Sequence, residues 1–113
     1  MPQILTKQRA KIGLAEIKVA VAQVFDGQPV RRVDLFGSRA TGQESSDRDV
    51  DLLVDYKPEA RVGLFTIGGL REQLAERLGV GVDLVSRSAV EQSRNPIRRA
   101  SILNRLVPVY HAR

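Results

Sequence analysis

Several residue types are absent or scarce in this sequence of 113 residues, and each absence narrows what the chain can be. The lack of cysteine excludes disulfide bridges and thiolate metal sites. The five aromatic residues, three Phe and two Tyr, offer few platforms for stacking bases, so direct nucleic-acid binding is not expected. The single histidine, His111, is expected in a frayed tail rather than as a metal ligand.

Long apolar segments are also absent. No apolar run approaches the ~20 residues that a membrane-spanning helix needs, and the first 13 residues lack the apolar core of a signal peptide. Hydrophobic residues make up 42% and charged residues 27%, which is typical of a globular domain. We therefore expect a single domain over residues 1–113, located in the cytoplasm and not bound to a membrane.

The positive charge is unevenly distributed along the chain. The stretch from Arg87 to Arg113 contains six arginines and one acidic residue, Glu91, and it accounts for the whole net charge of +5. A basic surface of this kind suits an acidic partner protein, a nucleic acid or a nucleotide, but it is equally typical of a solvated helix face. The sequence leaves these two interpretations open.

Hydrophobic periodicity and turn residues predict the order α-β-β-α-β-α. Helices are expected at residues 6–25, 64–78 and 96–106, and strands at residues 30–36, 49–56 and 82–85. Ser88 and Glu91 have the spacing of a capping box for a short helical turn. Asn95 and Pro96 are the expected N-cap and first residue of the last helix. The predicted fold is α+β or α/β, with a small mixed sheet backed by helices.

Two carboxylates lie close together on the second predicted strand. Asp49 and Asp51 are two residues apart, so alternation along a strand points them to the same face. Paired carboxylates repel each other unless a cation neutralises them, and oxygen ligands favour magnesium or manganese. Asp83, in the third predicted strand, is the candidate third ligand and general base if the second and third strands are neighbours.

The residues that follow the first strand suit a phosphate. Gly37 and Ser38 would present backbone N–H groups and a hydroxyl, and Arg39 could add charge-assisted hydrogen bonds to a triphosphate. A phosphate site beside a carboxylate metal site, which can hold two ions, is the apparatus of phosphoryl or nucleotidyl transfer.

Two other motifs are excluded. Gln43 and Glu44 replace the lysine and Ser/Thr of a P-loop, and Leu52 and Pro58 replace the glycine and glutamate of an EF-hand.

The segment Leu35-Phe36-Gly37-Ser38-Arg39-Ala40, followed by Asp49-Val50-Asp51-Leu52-Leu53-Val54, resembles the minimal nucleotidyltransferase (MNT) domain of the polymerase-beta-like superfamily. The hallmark of that family is Gly-Ser, ten residues, then Asp-x-Asp, and this chain has the same spacing. The resemblance covers nearly the whole chain, and Asp83 stands where the family has its third carboxylate. Arg48 departs from the family, which often has Ser or Thr before the first aspartate.

This resemblance implies transfer of AMP from ATP to a hydroxyl, with Asp49, Asp51 and Asp83 holding Mg²⁺ and Gly37, Ser38 and Arg39 positioning the nucleotide. The chain is similar to the antitoxins of HEPN/MNT toxin–antitoxin pairs, which adenylylate a tyrosine of a HEPN ribonuclease toxin. The acceptor is then expected on another chain or on a second copy of this one. Two alternatives stay open: a non-catalytic antitoxin that masks its toxin, and a small-molecule enzyme of the aminoglycoside-modifying kind that works as a homodimer.

Overall fold

The structure is a computed structural model and describes residues 12–37, Ala40 and residues 49–112. Its helices are α1 (Leu14–Phe25), α2 (Leu64–Leu78), α3 (Arg87–Glu91) and α4 (Pro96–Leu103). Its strands are β1 (Val30–Phe36), β2 (Val50–Tyr56), β3 (Val82–Ser86) and β4 (Val107–His111). The predicted mixed sheet backed by helices is confirmed.

The four described strands form one mixed sheet in the order β3-β2-β1-β4. β1 is antiparallel to both β2 and β4, whereas β2 and β3 are parallel. Parallel neighbours need a crossover connection, which α2 provides. In the register, Phe36 lies beside Asp51 and Asp51 lies beside Asp83. The second and third predicted strands are therefore neighbours, as the sequence analysis required.

Helix α1 begins later than predicted. Residues 6–11 of the predicted range lie outside the described residues, and the described helix begins at Leu14 with Gly13 as its N-cap. The Gly13 N–H donates to Glu16 Oε1 at 3.5 Å, a side-chain contact typical of a helix start. On the inner face Ile17 and Val21 are buried, whereas Leu14 is 41% exposed.

Helix α2 has the predicted bounds. Leu70, Leu74 and Leu78 are buried at intervals of four residues, which matches one face of a helix. Gly79 ends the helix in the left-handed conformation with φ of 74°, and its N–H donates to the Ala75 carbonyl at 2.8 Å. Glycine is the usual residue at this position because a side chain would be strained there.

The two faces of the sheet pack against different helices. One face packs with α1 and α2 around the main core, and the other packs with α3 and α4 around a smaller cluster. The main core is formed chiefly by Ile17, Val21, Val33, Leu35, Val50, Leu52, Val54, Leu70, Leu74, Leu78 and Val82. The smaller cluster consists of Leu53, Val90 and Ile102, with Phe36, Val85, Leu103 and Leu106 packed against it. In the part of the chain that the structure describes, every helix falls short of the length and apolarity needed to span a membrane.

The short helices after β3 differ partly from the prediction. The N-cap of α3 is Ser86, whose Oγ accepts from the Ala89 N–H at 3.4 Å, so the predicted capping box starting at Ser88 was wrong. The predicted cap of α4 is confirmed, since Asn95 Oδ1 accepts from the N–H groups of Ile97 and Arg98, each at 3.1 Å.

The C-terminal end of the chain also differs from the prediction. Helix α4 ends at Leu103 rather than at residue 106, and the following segment forms β4 on the edge of the sheet. Pro108 is compatible with an edge strand because one side of such a strand needs no ladder hydrogen bond. His111 pairs with Arg32 of β1, so the expectation of a frayed tail at His111 was wrong.

Candidate active site

The predicted carboxylates lie at one end of the sheet. Asp51 and Asp83 are register partners on parallel strands, whose backbones run ~4.8 Å apart. Alternation places them on the same face as Leu53 and Val85, the face that α3 and α4 cover further along the strands. Asp49 lies immediately before β2. The fold therefore brings three residues together that are up to 34 positions apart in the sequence.

The three side chains differ in exposure. Asp51 is partly buried, whereas Asp49 and Asp83 are exposed. Asp83 lies near the start of an edge strand, which explains why a residue flanked by apolar neighbours still reaches solvent. Within the described ranges, neither Asp49 nor Asp83 is in an ion pair. These two carboxylates are thus available to a cation.

Charge repulsion between neighbouring carboxylates is appreciable here. Two unit charges ~5 Å apart repel by about 1 kcal/mol in water and about 3 kcal/mol at an effective dielectric constant of 20. A divalent cation between them would reverse the sign of this interaction. Among the described residues, no three acidic or histidine side chains are arranged as a ready metal site. Carboxylate oxygens suit a hard cation such as Mg²⁺. To share one ion, however, the three carboxylates would have to turn toward a common point.

Gly37 lies directly against the Asp51 carboxylate. A Cβ built on Gly37 would lie 2.5 Å from Asp51 Oδ2, and the backbone there has φ of +81°. Both the contact and the left-handed backbone exclude a side chain at this position. The conformation lets the chain turn sharply out of β1 while its backbone touches the carboxylate of the neighbouring strand. Gly37 is thus in contact with the Asp51 carboxylate of the predicted metal site. Its role beside the nucleotide stays a prediction.

A second glycine, Gly81, lies against Asp49. A Cβ built on Gly81 would lie 2.5 Å from Asp49 Oδ1 and 2.9 Å from its Cγ. The Gly81 carbonyl also accepts from the Val50 N–H at 2.9 Å. Gly81 was not among the predicted site residues, because in sequence it looks like a simple turn before β3. The one feature of the sequence that could have marked Gly81 as a site residue is its position two residues before Asp83.

The remaining predicted nucleotide contacts are Ser38 and Arg39. Ser38, Arg39 and Arg48 lie outside the described residues. The predicted roles of Ser38 and Arg39 toward the triphosphate stay predictions.

A second polar cluster lies on the same sheet face, further from the predicted carboxylates. Asp34 of β1 is fully buried and accepts a hydrogen bond from Arg32 Nη2 at 2.7 Å, which raises the pKa of Arg32. Arg87 of α3 approaches the other oxygen of Asp34 at 3.6 Å. An adjoining cleft of about 530 Å³ is lined by Arg32, Arg87 and His111, among others. Asp55 of β2 also lines this cleft. Leu53, the register partner of Asp34, lies between Asp55 and Asp51 on the strand and so separates the cleft from the predicted carboxylates.

Comparison with known families decides the identity of the fold. The model of the nucleotidyltransferase domain family matches residues 14–108, which include β1, both predicted metal-binding strands and the predicted nucleotide contacts. The chain belongs to the nucleotidyltransferase domain family. The family predicted from the Gly-Ser and Asp-x-Asp spacing is confirmed.

Curated relatives within this family are named as protein adenylyltransferases. Protein adenylyltransferase MntA of Thermococcus cleftensis is 40% identical over 62 residues, which is 55% of this chain and 61% of the relative. A candidate protein adenylyltransferase of Methanocaldococcus jannaschii is 30% identical over 100 residues, which is 85% of this chain and 97% of the relative. The chain thus matches less than two thirds of the first relative and nearly all of the second.

Solved nucleotidyltransferase structures share this fold. One is the complex of a tri-AMPylated HEPN toxin of Shewanella oneidensis with its MNT antitoxin, at a TM-score of 0.61 and 16% identity. The alignment covers 88% of this chain and 74% of the matched chain. At this identity the likeness supports the fold alone, and it agrees with the mixed sheet backed by helices described above.

Proposed function

We propose that this chain is a magnesium-dependent protein adenylyltransferase that transfers AMP from ATP to a hydroxyl of a HEPN-type toxin and thereby acts as its antitoxin. The pairing of Asp51 with Asp83 at the exposed end of a nucleotidyltransferase sheet carries this proposal. The names of the two curated relatives favour a protein as acceptor. The toxin–antitoxin complex that shares the fold favours a HEPN toxin as that protein.

The proposed reaction assigns a role to each predicted residue. The acceptor oxygen attacks the α-phosphorus of ATP, the bond between the α-phosphorus and the bridging oxygen breaks, and pyrophosphate leaves with that oxygen. The proton of the hydroxyl passes to Asp83, whose exposed carboxylate is accessible to a group on another protein. The adenylyl group becomes bonded to the acceptor oxygen. The backbone at Gly37, together with Ser38 and Arg39, holds the phosphates in line for this attack.

The carboxylates are also the proposed ligands of Mg²⁺. Asp49 and Asp51 would hold the ion, with Asp83 completing the set for a second one. When bound, magnesium supplies charge that stabilises the negative oxygens of the transferring phosphoryl group. ATP and magnesium are both available in the cytoplasm, where we propose that the protein acts.

The test measures whether the purified chain transfers label from ATP labelled at the α-phosphate to a purified HEPN-type toxin. Asp51→Asn and Asp83→Asn should each lower the rate by about 10²-fold or more, because each removes a charge used in the reaction. Asp26→Asn is the matched control. Asp26 is an exposed residue at the end of α1, so the same chemical change should leave the rate unaltered.

The outcomes separate the candidate functions. Label on the toxin that disappears with Asp51→Asn supports the proposal. Full inhibition of the toxin by both Asp variants, with no label transferred by the natural protein, would establish masking instead. Label transferred to an aminoglycoside but not to the toxin would establish a small-molecule acceptor.

A further inference from the structure

Gly81 is the residue on which the Asp49 carboxylate rests, and we infer that it is a positioning residue for the metal site. The inference rests on the proposed function, since it concerns where the carboxylate of a proposed metal ligand, Asp49, is held. Gly81 lies outside the Gly-Ser and Asp-x-Asp motifs. Its role is to leave room for a carboxylate against the backbone that leads into β3.

The available space shows why a side chain does not fit. A Cβ at Gly81 would lie 2.5 Å from Oδ1, 2.9 Å from Cγ and 3.2 Å from Oδ2 of Asp49. Carbon and oxygen atoms that are not bonded keep more than 3 Å apart, so the whole carboxylate would have to move. Elsewhere in the described part of the chain, a Cβ on Gly63 or Gly69 would meet nothing within 4 Å.

The backbone prevents Asp49 from avoiding the clash by moving as a whole. Val50, the next residue, donates its N–H to the Gly81 carbonyl at 2.9 Å, and Val50 is also the register partner of Val82. Both segments are therefore fixed to each other on either side of the contact. The remaining response to a methyl group at position 81 is rotation of the Asp49 side chain.

That rotation affects the site more than the fold. Gly81 does not have a positive φ, so its backbone accepts alanine without strain. Asp49 is exposed, so its carboxylate can turn into water at little cost in stability. The turned carboxylate leaves its position against Gly81, at the end of the sheet that Asp51 and Asp83 share. Gly81→Ala should therefore leave the chain folded while weakening the binding of a divalent cation.

The experiment measures the binding of Mn²⁺ alone to the full chain, from the electron paramagnetic resonance signal of the free ion. Gly81→Ala is expected to weaken Mn²⁺ binding by about 10–100-fold, the usual effect of losing a residue that orients a metal ligand. Gly63→Ala, which adds the same methyl group in open space, should bind as the natural protein does. Thermal unfolding followed by circular dichroism should give similar midpoints for both variants.

Asp49→Asn separates failure of the inference from failure of the proposed function. Weak Mn²⁺ binding by Asp49→Asn, with normal binding by Gly81→Ala, would overturn the positioning role alone. Normal binding by Asp49→Asn, or no binding by the natural protein, would overturn the proposed metal site and the inference with it.

A loss of stability in Gly81→Ala has its own test. If the clash with Asp49 causes it, the same substitution in an Asp49→Ala background should cost nothing, because the clashing atoms are gone. An equal loss in both backgrounds would show that position 81 serves the fold and not the carboxylate, and would overturn the inference.

Discussion

The buried carboxylate of Asp34 allows a quantitative test of how α3 is held on the sheet. Its Oδ1 is bound by Arg32 at 2.7 Å, whereas its Oδ2 has only Arg87, at 3.6 Å. Asp34 Oδ2 and Arg87 Nη1 are both buried without a hydrogen-bond partner in the described structure. Replacing Arg87 with methionine keeps the apolar stem and removes the charge, so one oxygen of a buried carboxylate loses its neighbouring cation.

The size of the effect follows from what is left behind. Breaking a buried ion pair costs about 3–5 kcal/mol when the remaining charge is unpaired. Here Arg32 still neutralises Asp34, so the expected loss for Arg87→Met is that of an unsatisfied buried group, about 1–3 kcal/mol. The double variant Asp34→Leu/Arg87→Met removes both buried charges, and Arg32, with a side chain 36% exposed, can be hydrated. The double variant should therefore recover most of the free energy of unfolding that Arg87→Met loses.

Urea unfolding followed by circular dichroism gives the free energies of unfolding, and thermal midpoints should shift by about 4 °C per kcal/mol. Glu91→Gln is the control. It removes the other partner of Arg87, but this partner is 53% exposed and should contribute less than about 1 kcal/mol. A loss below about 0.5 kcal/mol for Arg87→Met, or a double variant no more stable than Arg87→Met alone, would refute the argument.

Two further predictions concern stability. Asn95→Ala should lower the free energy of unfolding by about 1 kcal/mol, because two N–H groups of α4 lose their acceptor. Asn104→Ala, at the other end of the same helix, is the control in the same urea experiment, and an equal loss there would contradict the capping role. Burial raises the pKa of Tyr56 in the folded chain above its ordinary value near 10. Its neutral form is therefore favoured by folding, so this contribution is complete below about pH 10 and is lost as the pH rises further. Tyr56→Phe should lose less stability than the natural protein between about pH 9 and 11, and parallel losses in the two proteins would contradict this assignment.

The fold was largely predictable because local signals and packing agree. The buried face of α2 repeats every four residues, and glycines at both ends set its bounds. The strand β4 was missed because the segment after α4 is short and contains Pro108. It becomes a strand through pairing with β1, more than 70 residues away in the sequence. Such long-range pairing leaves no periodic trace in the segment itself.

The site was predictable in its residues but not in its contacts. The spacing of Asp49 and Asp51 implies one face of a strand, and the parallel pairing places Asp83 beside Asp51. The contact of Gly81 with Asp49 depends on the exact approach of two segments, which residue types do not reveal. The burial of Asp34 could not be predicted from the sequence either. Its partner Arg87 belongs to α3, more than 50 residues further along the chain.

The parallel register of β2 and β3 makes the pairing of Asp51 with Asp83 an all-or-none property of the folded chain. A slip of β3 by one residue would turn Asp83 toward α1 and α2, where an unpaired charge is costly, and would expose Val82 or Leu84 to water. Intermediate geometries with a partly displaced third carboxylate are thus excluded by the same apolar residues that hold the sheet together. Destabilised variants should accordingly lose active molecules by unfolding, while each molecule that stays folded keeps the full spacing between Asp51 and Asp83.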